Sequence, residues 1–492
     1  MKPIQYQQSQ YQDVGGKQVP ITIREFKGLN MFDPLSIDDV FFTDIVNMDS
    51  TNYPSLTTRS GYVVDYSVPI SDPGASGVKG MFVFRLPDGT EELHCIFSDQ
   101  TWRVKKGSTW RILPGQISGQ SMSYQFATAY VDSDALSIHQ TCLFMQSGGG
   151  RTYYYTEGQG TQVVSQLPEN ARYITSYQNR LWCVVDNELW ASKLDDPLTW
   201  DINTAEGESA AYRRQIETKN GEKASALNGN FTRLTIGSPN TVQELYGGVP
   251  SQFNVQPVTF DTGPINMKST ITLDGIMYFV NKNGVYEYSG GTIPDKSLSE
   301  IINKLVKNVT QASTSNTDSF RVTGGTDGKK LFFYINDTFL VYDPRPGVQT
   351  WSKYSGIVPA HFAVFNNQLY IGDRQGRILR IEGNTDAGNA INWSAITKPF
   401  SNSSISQKLR WYKIFVQAEF TGTMNIMLSK TIDGDDFEQV GTTTGSGADV
   451  TKRIIIPVGK FARENHIRIK LTGSGYARIH EITRNQRQLP LY

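Results

Sequence analysis

The chain has 492 residues, with 47 Lys plus Arg against 47 Asp plus Glu, so its formal charge is zero. That balance provides no global field to draw in nucleic acid or an acidic membrane surface, and any such contact must be local. Hydrophobic residues at 38%, 44 glycines and an aromatic share of 11% favour many short strands and turns over helices, in a chain too long for one ordinary core.

Residues 1 to about 20 are rich in Gln, Ser and Tyr without periodicity, the composition of an arm ordered by a partner. They hold no apolar core of signal-peptide length, and no run in the chain approaches the roughly 20 apolar residues of a membrane span. Phe26–Ser50 and the stretch from Tyr53 to Ser67 alternate apolar and polar residues around turn signals and read as strands.

From residue 94 onward an apolar or aromatic run, a short turn and a second apolar run recur seven times. The copies begin HCIFSDQTWRV at His94, CLFMQSGGGRTYYY at Cys142, LWCVVDNELWAS at Leu181, LTIGSPNTVQELY at Leu234, MYFVNKNGVYEYS at Met277, LFFYINDTFLVYD at Leu331 and LYIGDRQGRILRI at Leu369. Their starts lie 48, 39, 53, 43, 54 and 38 residues apart. Asn, Asp or Gly at each turn tolerates the left-handed backbone of a tight reversal, so each unit reads as a β-hairpin. A strand-built period of about 40–50 residues is the mark of a β-propeller, whose blades bury their faces against their neighbours. The expected fold is all-β, a propeller of about seven irregular blades. Part of the segment before residue 68 is assigned the strand that closes the last blade and removes its open edge. Cys95, Cys142 and Cys183 fall inside blade strands, and three cysteines without metal-type spacing read as buried free thiols of a reducing compartment.

Several repeats end in a further strand carrying a tryptophan, Trp110, Trp200, Trp351 and Trp393, placed to pack between blades. One segment breaks the pattern. In Asp295–Lys307, Leu298, Ile301, Ile302 and Leu305 recur at helical spacing, with Asp295 or Ser297 as N-cap, which predicts a short inserted helix. After about Asn384 the repeat fades, and from Lys408 a new alternating series begins that predicts a small antiparallel β-sandwich. The expected domains are an N-terminal arm and closing strand over 1–60, a propeller over 61–398 and a sandwich over 399–492. Residues 401–492 carry 13 Lys or Arg against 8 Asp or Glu. Arg468, Lys470, Arg478, Arg484 and Arg487 are the candidates there for a DNA or subunit contact, against the plainer reading of a solvated strand face.

No catalytic constellation is legible. The chain lacks HExxH, GxSxG and GxxxxGK[ST] patterns, and Gly148–Gly150 before Arg151 reads as a hairpin loop, with no helix behind it to receive a phosphate. His94, His139, His361, His466 and His480 are scattered. The acidic groups Asp88 with Glu91 and Glu92, and Asp433 with Asp435 and Asp436, read as solvated turns before calcium ligands. No catalytic residue, cofactor or metal is expected.

Particular strings add a resemblance. They are Asn47 to Leu56, reading NMDSTNYPSL; Asn179 to Trp182, reading NRLW; and Asp196 to Trp200, reading DPLTW. With them go Glu244 to Tyr246 closing the Leu234 hairpin, Asp274 to Val280, reading DGIMYFV, and LFFYINDTFLVYDPRPGVQTWSKY from Leu331. These resemble the propeller proteins of bacteriophage portal-vertex tails, the hub, nozzle or packaged-DNA stabilisation proteins of short-tailed phages, over residues 26 to 400. The resemblance implies a structural virion protein, assembled in the host cytoplasm as a homo-oligomeric, often hexameric, ring below the portal and adaptor. Such a ring continues the channel that retains packaged DNA and conducts it at infection, and it has no enzyme activity. The alternative is a receptor-binding or baseplate propeller that recognises host glycan, which calls for exposed aromatics grouped with acidic or amide side chains. A glycan hydrolase is a third reading, since paired carboxylates on a propeller can cleave sugars.

Overall fold

Each of the seven hairpins is the second and third strand of one blade of a seven-bladed β-propeller. The computed structural model describes residues 19–68, 77–115, 117, 123–148, 150–158, 160–168, 170–230, 232–259, 261–291, 297–307, 309, 322–401 and 408–489. Two compact units divide the chain. One comprises Gly61–Arg345 with Tyr354–Gly383, the other Met1–Ser60, Pro346–Lys353 and Asn384–Tyr492.

In the first unit the blades follow chain order. Blade 1 holds Val78–Arg85, Glu91–Phe97, Trp102–Lys106 and Thr109–Ile112, and blade 2 holds Tyr124–Ser133, Ile138–Ser147, Thr152–Thr156 and Gly160–Val163. Blade 3 comprises Ala171–Tyr177, Arg180–Val185, Glu188–Ala191 and Tyr212–Gln215, and blade 4 Ala226–Gly229, Leu234–Ser238, Thr241–Tyr246 and Asn254–Thr259. Blade 5 has Ile271–Leu273, Ile276–Asn281 and Gly284–Tyr288, and blade 6 begins Val322–Thr326, Leu331–Ile335 and Thr338–Asp343. Blade 7 comprises Pro359–Phe365, Gln368–Asp373 and Arg377–Ile381, completed by Tyr62–Ser67 from the N-terminal side.

Turn chemistry explains the hairpins. Asn336 and Asp337 sit at φ 48° and 58°, and Asn366 and Asn367 at 50° and 59°, the paired left-handed residues of a two-residue turn matched to strand twist. Between blades the faces form apolar clusters. Phe84, Trp102 and Val104 of blade 1 meet Leu143, Met145 and Tyr155 of blade 2, and Trp182 and Leu189 of blade 3 meet Leu227, Ile236 and Leu245 of blade 4. Innermost strands of neighbouring blades touch along the run 7–1–2–3–4 and again along 5–6–7. Cys95, Cys142 and Cys183 are buried free thiols, and burial pushes each thiol pKa up.

The closing strand pairs antiparallel with the third strand of blade 7, Tyr62 opposite Ile381 and Ser67 opposite Arg377, with a bulge that releases Asp65 from the ladder. The Asp65 carboxylate accepts from Lys105 Nζ at 2.5 Å and Trp110 Nε1 at 2.9 Å, both on blade 1. One aspartate thus joins the closing strand to the first blade.

The second unit is a ten-stranded antiparallel sheet in which N-terminal strands flank a run of C-terminal ones. Its order runs Phe42–Val46, Asn392–Thr397, His466–Ser474, Leu409–Ser429, Ala477–Gln488, Leu56–Thr58 and Met48–Asp49. Val19–Ile23 pairs on Ala477–Gln488, Phe400–Ser401 on His466–Ser474, and Glu438–Ile456 on Leu409–Ser429. The series expected from Lys408 opens as a single 21-residue strand, Leu409–Ser429, paired first with Ala477–Gln488 and then with His466–Ser474. Ile23, Phe26, Phe42, Ile45, Trp393, Trp411, Val416, Ile469 and Ile482 share its core.

The expected boundaries therefore move. Asn392–Thr397 leaves the propeller as an interior strand of the ten-stranded sheet, and the closing strand begins just after residue 60. Most of the 1–20 arm lies outside the described residues, with Val19 and Pro20 opening a strand. The inserted helix is shorter than expected, a 3-10 turn over Glu300–Ile302 continued by Asn303–Val306. Asp295 lies outside the described residues. Ser297 is not the cap, and at the Ser299 N-cap position the hydroxyl accepts instead from Val285 N–H on blade 5 at 2.9 Å. Trp110 and Trp351 lie in strands as expected, whereas Trp200 sits in a loop and Trp393 in the ten-stranded sheet. The reason at Trp200 is local: Asp196 accepts from Leu198 N–H and the Thr199 hydroxyl, folding DPLTW as a turn whose indole donates to Pro197 O at 2.9 Å.

Candidate functional site

The five basic residues singled out in sequence share two strands but not one surface. Arg484 is 3% exposed, its guanidinium ion-paired with Asp39 and lying 4.3 Å from the Phe400 ring centroid. Lys398 Nζ is 3.5 Å from the same aspartate. Arg468 is also buried, donating to Gly434 O at 2.9 Å and to Thr43 Oγ1 at 3.4 Å, with its guanidinium over Phe437; Lys470 approaches that ring from 5.3 Å. Burial lowers the pKa of both arginines, against the pull of Asp39 on one and of Asp433 and Asp435 on the other. Arg478 and Arg487 lie toward opposite ends of Ala477–Gln488, opposite Thr57 and Arg410 respectively. Within the sheet, Arg484 and Arg468 serve as internal ties between N-terminal and C-terminal segments.

A different constellation stands on the propeller. The inner strands of blades 2, 3 and 4 border a cleft of about 670 Å³, lined by Tyr130, Tyr177, Gln178, Asn179, Asp195 and Asn230 among others. Each lining group is placed by backbone that its sequence fixes. Gln178 and Asn179 are the two central residues of the turn joining Ala171–Tyr177 to Arg180–Val185, at φ 49° and 55°. Asp195, at φ 58°, donates its N–H to Asn179 O at 3.0 Å. Gln178 Nε2 is held by Gly247 O at 3.1 Å. Gly229, on the inner strand of blade 4, faces Ser176 O so closely that a Cβ would stand 2.6 Å from it, which lets blades 3 and 4 approach.

Arg180 forms the floor. It is 2% exposed and donates to the carbonyls of Ser192 and Ala210 at 2.7 Å each and to that of Glu208 at 2.7 Å. Burial lowers its pKa, with Asp195 and Glu208 opposing the shift. Tyr177 is half-buried, its hydroxyl pKa raised by burial first and by Glu244 second. Tyr130, by contrast, is 50% exposed. Among the described residues, the side chains of Tyr130, Asn179 and Asp195 make no hydrogen bond to a protein partner. Sequence reasoning missed this site because its members come from three blades and only the NRLW string, through Asn179 and Arg180, marks any of them.

No protein-family model and no curated protein matches the chain. Among solved structures it is similar to BBS1N in complex with ARL6DN, at 12% identity over 67% of this chain and 100% of that one, TM-score 0.42. It is similar also to U3-55K, at 9% identity over 65% and 100%, TM-score 0.41, and to BamB from Moraxella catarrhalis, at 11% identity over 74% and 97%, TM-score 0.39. The chain is a seven-bladed β-propeller with a second, ten-stranded β-unit; no helix among the described residues is long and apolar enough to cross a membrane.

Proposed function

We propose that this chain is a structural subunit of a bacteriophage tail, of the hub or nozzle kind. It forms a homo-oligomeric ring, a hexamer in the reading carried by the resemblance, below the portal and adaptor. The ring continues the channel, retains packaged DNA and conducts it at infection, and the subunit works without catalysis in the assembled virion.

The observation that supports this reading is the use made of the motifs that carry the resemblance. Asn47, at φ 58°, donates from Nδ2 to Asn392 O at 2.7 Å and accepts Arg59 Nε at 2.9 Å, while Arg59 forks onto Asp386 at 2.9 and 2.6 Å. Met48 and Leu56 of the same string are in the core of the ten-stranded sheet. In NRLW, Arg180 ties the carbonyls described above, Leu181 is core, and the Trp182 indole donates to Tyr177 O at 2.8 Å. These residues tie strands together within each of the two units, and a ring subunit calls for such fixed surfaces, repeated around an axis. Zero formal charge suits a lumen through which DNA slides, because strongly basic walls would hold it by phosphate contacts.

Electron microscopy of the purified full chain, alone and with its neighbouring tail proteins, tests the proposal. Rings with an axial channel are the expected result. A particle that stays monomeric under both conditions overturns it.

A further inference from the structure

The cleft among blades 2, 3 and 4 has no part in the proposed ring role. Its volume, about 670 Å³, lies within the roughly 300–1,000 Å³ typical of small-molecule sites. Tyr130 presents a half-exposed ring to it, and the Asn179 amide and Asp195 carboxylate are left without a protein hydrogen-bond partner among the described residues. An aromatic face beside an amide and a carboxylate offers apolar contact together with both donors and acceptors. A pyranose has the matching surface, C–H groups on one face and hydroxyls around the rim that donate and accept at once.

The backbone under these groups is already ordered. Gln178 and Asn179 form the two-residue turn, and the Asp195 N–H bond to Asn179 O locks the two polar residues together. Preorganisation of this kind lowers the ordering cost of binding. Charge selects the class of sugar. The cleft's guanidinium, Arg180, is turned away from ligand duty by its bonds to Ser192, Ala210 and Glu208 carbonyls, whereas Asp195 is exposed. With Arg180 buried and Asp195 exposed, the charge that a ligand meets first is the carboxylate's, which disfavours phosphate, uronic or sialic acid groups.

We propose that this cleft binds a neutral saccharide, with one sugar ring packed on Tyr130 and its hydroxyls hydrogen-bonded by Asn179 and Asp195. The proposal stands independently of the tail reading.

Isothermal titration of the full chain with maltotriose, the β-1,4-linked N-acetylglucosamine trimer and β-1,4-galactobiose, and with sialyllactose as the anionic comparison, tests it. At least one neutral probe is expected to bind saturably, and sialyllactose is not. Tyr130→Ala is expected to weaken binding about tenfold, the loss of one aromatic packing surface. Asn179→Gly, which removes the amide but accepts the left-handed backbone, is expected to weaken it several-fold. The thermal unfolding midpoint should stay unchanged in both variants, since both positions are exposed. Failure of all three neutral probes, binding of sialyllactose alone, or binding undiminished in Asn179→Gly and Tyr130→Ala alike overturns the proposal.

Discussion

His94 is fully buried between blades 1 and 2, and its two nitrogens have different duties. Trp102 Nε1–H donates to Nδ1 at 3.1 Å, which assigns the proton to Nε2, 3.3 Å from Glu92. Burial lowers the imidazole pKa, with Glu92 opposing the shift, and the same cause lowers those of His361 and His466. A histidine whose folded pKa lies below its unfolded value, 6.5, is neutral in the native state, so the unfolded chain takes the proton first. Stability from these histidines is therefore complete above pH 6.5 and lost as pH falls below it. On Glu92 burial is the largest influence and pushes the pKa up, but His94, Tyr155 and Arg111 together leave it lowered, so its share is lost further down, through 4.5. Urea midpoints measured from pH 8 to 5 are expected to fall below pH 6.5, and less steeply in His94→Gln. A flat profile contradicts the burial assignment. Arg59 gives a second test at this scale. Its side chain is 2% exposed and forks onto Asp386, so Arg59→Ala leaves that carboxylate without its partner, a loss of about 3–5 kcal/mol for a buried pair broken on one side. Arg59→Lys is expected to recover only part of the urea midpoint, because an ammonium cannot fork.

At the scale of elements, the closing strand is the most exposed to a single change. Asp65→Ala leaves Lys105 Nζ, on a side chain 5% exposed, without its carboxylate and removes the acceptor of the Trp110 indole. A loss of about 3–5 kcal/mol at the seam is expected. Amide hydrogen exchange should quicken in Tyr62–Ser67 and Arg377–Ile381 while the central hairpins of blades 2 to 4 keep their protection; uniform loosening of all blades would argue against a local latch. The elements also show what the sequence made legible. All seven central hairpins were visible because apolar runs flank Asn, Asp or Gly turns. The inner strands of blades 4 and 6 were not, because close approach near the axis there takes glycine in place of an apolar alternation. Gly325 is the clearest case: a Cβ there would lie 2.3 Å from Phe362 Cβ on blade 7. The candidate cleft was hidden for a different reason, since Tyr130 on an inner strand, Asn179 in a hairpin turn and Asp195 in a loop are brought together only by blade packing. Conversely, the charge excess after residue 400 was legible, but its distribution was not. A count of arginines cannot show that Arg484 meets Asp39 across 445 residues of chain.

At the scale of the molecule, the ten-stranded sheet binds the two ends of the sequence into one core. Alternation marked the strands within residues 26–58, but no periodicity encodes a partner more than 400 residues away, such as Ile482 opposite Ile23 or Ile479 opposite Leu56. Ile23, Phe26, Phe42, Ile45, Met48 and Leu56 all belong to the core that holds Trp393, Trp411 and Val416. Burial of such side chains stabilises by about 1.5–3 kcal/mol each. Together the six are worth on the order of 10 kcal/mol, as much as the about 5–15 kcal/mol net stability of a whole domain. The closing strand of the propeller, Tyr62–Ser67, lies beyond them in sequence and pairs within the propeller. A chain truncated to begin at Gly61 is therefore expected to keep slow amide exchange in the hairpins between Glu91 and Ile381 and to lose it throughout Leu409–Ser429 and Ala477–Gln488. Supplying residues 19–60 as a separate peptide should restore protection to those two strands. If they remain protected without it, the C-terminal strands suffice for their own core, and the N-terminal segment is decoration on that unit rather than part of its interior.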